Sequence, residues 1–120
     1  MINPLPETPA ERDLRRLRTL YRALGDATRL RMIGLLAESG PMSVNELSAR
    51  VSLSQPLISW HLRILRLAGI VDTQRQGRAT ICRLRLAAFE ELHAAEARLV
   101  GGTAGVNAAG EAHGTVPDVS

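Results

Sequence analysis

Lysine is absent from this sequence, and both cysteine and the aromatic residues are scarce. All 15 basic residues of the 120 are arginines, a bias that GC-rich codon usage also produces. The single thiol, Cys82, cannot form an internal disulfide, which favours a reducing compartment, the cytoplasm. With only Tyr21, Trp60 and Phe89 as aromatic residues, the core has to be built from Leu, Ile, Val and Ala, a composition that suits packed helices.

The sequence also lacks the features of secreted, membrane-spanning and catalytic proteins. Residues 1–7 contain no basic stretch followed by an apolar segment, and no apolar run approaches the length of a membrane span. No glycine-rich phosphate loop or metal-hydrolase motif occurs, and the adjacent carboxylates Glu90 and Glu91 would point to different parts of a helix surface. We therefore expect neither an enzyme nor a bound cofactor.

The length of the chain indicates one domain with a short extension at each end. Residues 1–9 hold three prolines and predict a disordered lead-in. The glycine content and the lack of large apolar side chains over 101–120 predict a flexible tail. The folded domain is then 10–100. All the arginines lie within it, which is typical of a protein with a polyanionic partner and also of a solvated basic face.

The spacing of apolar residues predicts the element order α-α-α-α-β-β-α. Helices are predicted over 10–24, 27–38 (with Leu30, Ile33, Leu36 and Ala37 facing inward), 43–50, a fourth segment between the cap Ser54 and the stop Gly69, and 86–100. Two β-capable runs, 70–75 and 79–84, flank Gln76-Gly77, where glycine supplies the positive φ of a tight hairpin. This mainly α order with one hairpin is that of a winged helix-turn-helix domain.

The fourth helix carries the polar face that a DNA-recognition helix requires. When Ile58, Leu62 and Leu65 face inward, a largely polar set faces outward. The candidate DNA contacts on this helix are Ser54, Gln55, Pro56, Ser59, Trp60 and Arg63. The major groove admits an α-helix, in which Gln can bond both edge groups of adenine and Arg can bond guanine or a phosphate. An ordinary amphipathic surface helix is the alternative, but the short helix and tight turn before it favour recognition.

The predicted hairpin tip holds two arginines, Arg75 and Arg78. A protruding turn with two cations can lie along a phosphate backbone or enter a minor groove. A hairpin that is polar only to protect its edges is the alternative. Next to a helix pair of this kind, the DNA-binding interpretation is favoured, and we predict DNA contacts from both arginines.

Several segments together resemble the ArsR/SmtB family of bacterial repressors. Leu24–Arg31 (LGDATRLR) is similar to the family's LadptRlril segment, and Leu53–Leu65 (LSQPLISWHLRIL) is similar to its lSqpavSrHLkvL recognition helix. Ala68–Val71 and Gln76–Arg78 are similar to the aGlV and GR positions of its wing. The resemblance covers about 20–90 and implies a homodimer that represses an operon until an inducer releases it.

The resemblance also implies that the first and last helices form the dimer interface. Two apolar stripes fit that role, although each could instead belong to the core of a single chain. The interface residues expected on this basis are Leu14, Leu17, Tyr21, Phe89, Leu92 and Leu99. The expected partners are a second copy of the chain and a double-stranded DNA operator with half-sites about one helical turn apart.

Metal sensing, which occurs in many members of that family, has few matching ligands here. The stretch that corresponds to the family's Cys-Val-Cys site is Ser43–Asn45, without a thiolate, and the last helix begins with Leu86–Ala88. His93 and Glu96 share a helix face and are the candidate ligands, but two are too few for a closed zinc or nickel site. Cys82 is expected to be a buried small hydrophobe rather than a redox or arsenical sensor.

The leading prediction is a DNA-binding repressor that responds to a small inducer, a metal ion or a co-regulator protein. Two alternatives stay open at this point. One is a nickel- or zinc-responsive regulator with a non-standard or partner-supplied sensor site. The other is a winged-helix protein-interaction module that uses Trp60 as its anchor.

Overall fold

The computed structural model describes residues 4–112, and the side chains of residues 4–101. The elements are α1 (Pro9–Leu24), α2 (Ala27–Ser39), β1 (Met42–Ser43), α3 (Val44–Val51), α4 (Gln55–Leu67), β2 (Val71–Gln76), β3 (Ala79–Leu84) and α5 (Leu86–Ala112). The predicted winged helix-turn-helix fold is confirmed, with one strand, β1, added to the predicted order. None of the described helices has the length and apolarity required to cross a membrane.

The three strands form one antiparallel sheet in the order β1-β3-β2. In the β2–β3 hairpin, Val71 lies opposite Leu84 and the chain turns at Gly77, which has a φ of +62°. β1 places Met42 opposite Cys82. A strand of two residues leaves no periodicity in the sequence, which is why the sequence did not predict it. Its pairing ties the start of α3 to the hairpin.

Capping side chains fix where the first two helices begin. Thr8 and Glu11 form a reciprocal capping box, so α1 starts at Pro9, inside the segment that was predicted to be disordered. Asp26 Oδ2 accepts a 3.0 Å hydrogen bond from the backbone amide of Arg29 at the start of α2. This hydrogen bond, followed by the Arg29 guanidinium charge, holds the pKa of Asp26 below its ordinary value.

The core is made of aliphatic side chains, methionine and the one cysteine, as the shortage of aromatic residues requires. The largest fully buried side chains are Leu20, Met32, Leu47, Ile58, Leu65, Ile70, Val71 and Cys82. Leu62 of α4 is buried with them, which confirms the predicted inward face of this helix, and Val51 of α3 is buried as well. The helix pair therefore sits on a single core that it shares with α1, α2 and the hairpin.

The predicted inward face of α2 is confirmed at Ile33 and Leu36, which pack in or against the core, and is wrong at Leu30 and Ala37. Met32 and Leu36 are buried, whereas Leu30 is 52% exposed and Ala37 is also exposed. Apolar residues occur on several sides of this helix, so their spacing fits more than one orientation. Arg29 lies on the same face as the buried Met32 and Leu36 and bonds to α1 and α4, so this face is the one turned toward the rest of the domain.

The last helix continues to Ala112, well past the predicted end at residue 100. The segment after Val100 contains several alanines and no proline before Pro117, so little in it opposes helix formation. The predicted mobility of 101–120 is a separate property and stays a prediction. Residues 1–3 and 113–120, with His113, lie outside the described part of the chain.

Candidate nucleic-acid interface

The start of α3 and the turn after it hold the two-helix unit in a defined geometry. Ser43 and Glu46 form a capping box at the start of α3, with hydrogen bonds of 3.0 and 2.8 Å. Ser52 ends the helix in the left-handed region, with a φ of +62°. The hydroxyl of Ser48 donates to the carbonyl of Leu53, which closes the turn that leads into α4. The orientation of α4 on the domain is therefore fixed by local bonds as well as by the core.

All the predicted contact residues of α4 face solvent. Ser54 is the cap, and its hydroxyl accepts a hydrogen bond from the backbone amide of Leu57. The exposed contact residues are Ser54, Gln55, Pro56, Ser59, Trp60 and Arg63. Trp60 is 57% exposed, an unusual position for the one tryptophan of a chain with few aromatic residues. This face offers an amide, hydroxyls, a guanidinium and an aromatic ring, which are the groups that read base edges and hold phosphates.

The hairpin presents its two arginines at the tip, on either side of the turn. Arg75 and Arg78 are both exposed, and neither has an ion-pair partner among the residues that the structure describes. Gly77 provides the positive φ that the turn between them requires. Both guanidinium groups are thus available to bind an anion.

The six residues predicted to form the dimer interface fall into two groups. Leu17 and Leu92 are buried within the single chain and Phe89 is partly buried, so these residues contribute to its core. The remaining three are large apolar side chains left on the surface: Leu14 (53% exposed), Tyr21 (44%) and Leu99 (53%). They line a shallow groove of about 620 Å³ between α1 and α5, together with Leu17, Arg18, Arg22 and Gly25.

Two ion pairs beside this groove join α1 to α5. Arg16 binds both carboxylate oxygens of Glu91, at 2.7 and 3.0 Å, and Arg98 binds both of Asp13, at 2.6 and 2.9 Å. These hydrogen bonds lower the pKa of Glu91 and of Asp13. The four side chains are at least partly exposed, so the pairs orient the two helices more than they stabilise the fold.

The two candidate metal ligands do not form a metal centre in one chain. His93 Nδ1 lies 3.4 Å from Glu96 Oε1, and the other carboxylate oxygen of Glu96 accepts a 2.6 Å hydrogen bond from the hydroxyl of Tyr21. This bond lowers the pKa of Glu96 and raises that of Tyr21. Within the described residues, no three His, Cys, Asp or Glu side chains converge on one point.

Cys82 lies at the centre of the sheet and is fully buried. Burial raises the pKa of its thiol to about 11, because the thiolate would lose its hydration. At pH 8 a thiol with this pKa is only about 0.1% thiolate. We expect an aromatic disulfide reagent to leave the native protein unreacted and to label one thiol per chain in denaturant. Rapid labelling of the native protein would instead support a sensor role for this residue.

An arginine that the sequence did not single out connects α4 to α1. Arg29 donates from Nε to the carbonyl of Ala23 (2.7 Å) and from Nη2 to that of Arg22 (3.3 Å). Its Nη1 lies 3.2 Å from Nδ1 of His61, in the middle of α4. Because a guanidinium only donates, Nδ1 of His61 is the acceptor in this pair. The only sequence signal for Arg29 was its place in the Leu24–Arg31 segment, and that signal does not predict which residues Arg29 contacts.

We expect Arg29→Ala to lower the free energy of unfolding by ~2–3 kcal/mol, as measured by urea denaturation. A hydrogen bond to a charged group contributes ~1.5–3 kcal/mol, and alanine would leave two helix-terminal carbonyls without this donor. Arg31→Ala is a matched control, since Arg31 is exposed and makes one 3.3 Å bond to the carbonyl of Arg50. The control should change stability by less than ~0.5 kcal/mol. Equal losses in the two variants would contradict the role given to Arg29.

Comparison with known proteins gives consistent matches over the helix pair. Residues 26–73 match the family described as "Bacterial regulatory protein, arsR family". The biofilm growth-associated repressor of Agrobacterium fabrum is 36% identical over 83 residues, which are 69% of this chain and 70% of that protein. The arsenic resistance transcriptional regulator ArsR1 of Pseudomonas putida is 45% identical over 65 residues, 54% of this chain and 51% of that protein.

The fold is also similar to that of solved structures. HlyU from Vibrio cholerae has 30% identity and a TM-score of 0.61, and the match covers 75% of this chain and 97% of that one. The chain spans 65%, 51% and 49% of the length of three of the curated relatives that it matches. With its capped helix pair, exposed polar α4 and arginine-tipped hairpin, this chain belongs to the arsR family of bacterial regulatory proteins.

Proposed function

We propose that the protein is a sequence-specific DNA-binding transcriptional regulator, a repressor that acts as a homodimer in the cytoplasm and is released by an inducer. The observation that carries this proposal is the exposed face of α4, on which the polar groups and Trp60 point to solvent while the opposite face is buried. An exposed helix of this composition, docked on a short capped helix, has the shape and chemistry to enter a major groove.

The first turn of α4 supplies the base-reading groups. Gln55 can bond both edge groups of an adenine, and Arg63, two turns along, can bond a guanine or a phosphate. Ser54 and Ser59 can each bond a phosphate or a base edge, and the positive end of the helix dipole at the start of α4 favours an anion. Trp60 can contact thymine methyl groups or pack on a sugar.

The hairpin supplies contacts that do not depend on sequence. Arg75 and Arg78 lie at its exposed tip and can bind phosphates or enter the adjacent minor groove. The formal net charge of the chain is +3, which favours a negatively charged partner such as DNA. In this proposal the β2–β3 hairpin adds affinity for DNA of any sequence, and α4 adds selectivity for particular base pairs.

A second copy of the chain is the occupant we assign to the α1–α5 groove. Leu14, Tyr21 and Leu99 expose a continuous apolar surface there, and a twofold axis would bring the same surface from two chains together. The two α4 helices of a dimer could then enter successive major grooves, ~34–36 Å apart.

In this proposal His93 and Glu96 do not by themselves bind a metal inducer. Two ligands leave a zinc or nickel ion under-coordinated, and one of them, Glu96, is already bonded to Tyr21. The stretch Ser43–Asn45 offers no thiolate, and the thiol of Cys82 is buried. A metal response would therefore need ligands from a second chain.

Two substitutions separate the roles given to α4 and to the hairpin. We expect Arg78→Ala to weaken binding to all DNA sequences alike, because a phosphate contact carries no sequence information. Gln55→Ala should relax discrimination at one base pair by about 5- to 150-fold, the range of ~1–3 kcal/mol for a bidentate contact. Fluorescence-anisotropy titrations against operator and single-substitution duplexes measure both effects.

The same titrations test the alternative of a protein-interaction module. Such a module would bind operator and scrambled duplexes equally weakly, with no separate effect of Gln55→Ala. If Gln55→Ala weakens binding uniformly, Gln55 contacts the backbone and the base-reading role assigned to it is wrong.

A further inference from the structure

The Gln55 side chain on α4 is held by a residue of the preceding helix. Nε2 of Gln55, at the first position of α4, donates a hydrogen bond to Oδ1 of Asn45, at the second position of α3. Both side chains are at the exposed end of the helix pair, on the side from which α4 would enter a groove. Asn45 itself was not among the predicted DNA contacts.

This hydrogen bond decides which groups Gln55 can offer to a base. A glutamine amide has two N–H donors and one carbonyl oxygen. With one N–H bonded to Asn45, one N–H and the carbonyl Oε1 remain. Adenine presents one acceptor, N7, and one donor, the N6 amino group, in the major groove. The groups left on Gln55 therefore match adenine, whereas the two acceptors of guanine would leave Oε1 without a donor.

The backbone that carries Asn45 is fixed before DNA arrives. The capping box of Ser43 and Glu46 encloses it in the first turn of α3, and the Ser48–Leu53 hydrogen bond closes the turn between the helices. Asn45 is thus an acceptor on a fixed backbone, placed beside a side chain that would otherwise sample many rotamers. Ordering such a side chain on binding reduces affinity by about 2- to 12-fold, and that cost is smaller when the side chain is already oriented.

We propose that Asn45 is a positioning residue for DNA recognition, which orients the amide of Gln55 to read an A·T base pair. The proposal rests on the base-reading role of Gln55 in the proposed function. Asn45 need not touch DNA. It acts by setting which N–H of Gln55 is available and where its carbonyl points.

The test compares Gln55→Ala, Asn45→Ala, Asn45→Asp and the double variant Asn45→Ala/Gln55→Ala with the parent protein. Each is titrated against the operator and against duplexes with one base pair changed at a time, and the ratio of dissociation constants gives discrimination at each position. Asn45 is exposed, and aspartate is favoured near a helix start, so all variants should fold, which thermal melting checks.

Asn45→Ala should reduce discrimination by about 2- to 12-fold at the same A·T pair that Gln55→Ala affects, and at no other. Asn45→Asp should retain that discrimination, because a carboxylate can still accept the bond, although its charge weakens binding to every duplex. In the Gln55→Ala background, Asn45→Ala should leave the ratio of dissociation constants unchanged at every position, because there is no Gln55 amide left to orient.

Three results would overturn the inference. Unchanged base-pair discrimination in Asn45→Ala would show that Gln55 needs no orientation. If Asn45→Ala lowers discrimination as much in the Gln55→Ala background as in the parent, Asn45 acts independently of Gln55. Loss of discrimination in Asn45→Asp would show that Asn45 must donate. If Gln55→Ala alters no position, the base-reading role fails as well, which separates failure of the proposed function from failure of the positioning role.

Discussion

Raising the salt concentration from 50 to 200 mM should weaken the complex of this protein with its operator by ~10³–10⁵-fold. Each arginine that neutralises a phosphate releases condensed counterions, so the logarithm of affinity falls linearly with the logarithm of salt concentration. Arg63, Arg75 and Arg78 are the exposed candidates on each chain, and the start of α4 adds phosphate contacts of its own. Two chains would then provide the ~6–10 contacts from which this range follows.

Fluorescence-anisotropy titrations at four or five salt concentrations measure the slope of the logarithm of affinity against the logarithm of salt concentration. Arg78→Ala should reduce its magnitude by about 1 per chain, and so by about 2 for a dimer. Glu38→Ala, which removes an exposed charge of the opposite sign on α2, provides a control that should leave the slope close to that of the parent. A complex that is insensitive to salt would contradict arginine-to-phosphate binding and favour an apolar protein partner.

Leu14→Asp or Leu99→Asp should convert the proposed dimer to a monomer. Both leucines are about half exposed in the single chain, so the substitution costs the folded monomer little. Across a twofold axis each change occurs twice, and burying the exposed half of a leucine contributes ~0.8–1.5 kcal/mol. The loss of two such contacts, with two carboxylates to desolvate, should weaken dimerisation by ~100-fold or more.

Sedimentation equilibrium at micromolar concentration measures this change directly. Leu67→Asp is the matched control, because Leu67 is 72% exposed but lies at the end of α4 and outside the α1–α5 groove. We expect the control to sediment as the parent does. A dimer that survives both groove substitutions would place the interface on another face.

The recognition unit could be predicted because its sequence signals are local. Ser43 with Glu46, and Ser54 with Pro56, mark the starts of α3 and α4, and the spacing of Ile58 and its apolar neighbours fixes which side is buried. The opposite face follows from the geometry of a helix. The hairpin could be predicted for the same reason, because Gly77 marks its turn in the sequence.

The features that the sequence did not predict depend on contacts between distant segments. Arg29, on the inward face of α2, bonds to α1 and to His61 of α4, and apolar spacing contains no information about such bonds. The same holds for Asn45 and Gln55, ten residues apart on different helices. Each pair is visible only after the helices have been placed in space.

The most direct test of this account is the affinity of the purified protein for a duplex selected from a random-sequence library, compared with a shuffled duplex of the same composition. If α4 reads base edges, the selected duplex should bind at least ~10³-fold more tightly, and Gln55→Ala should narrow that ratio. Equal affinity for the two duplexes would contradict sequence recognition by α4 and leave the exposed helix to serve a protein partner.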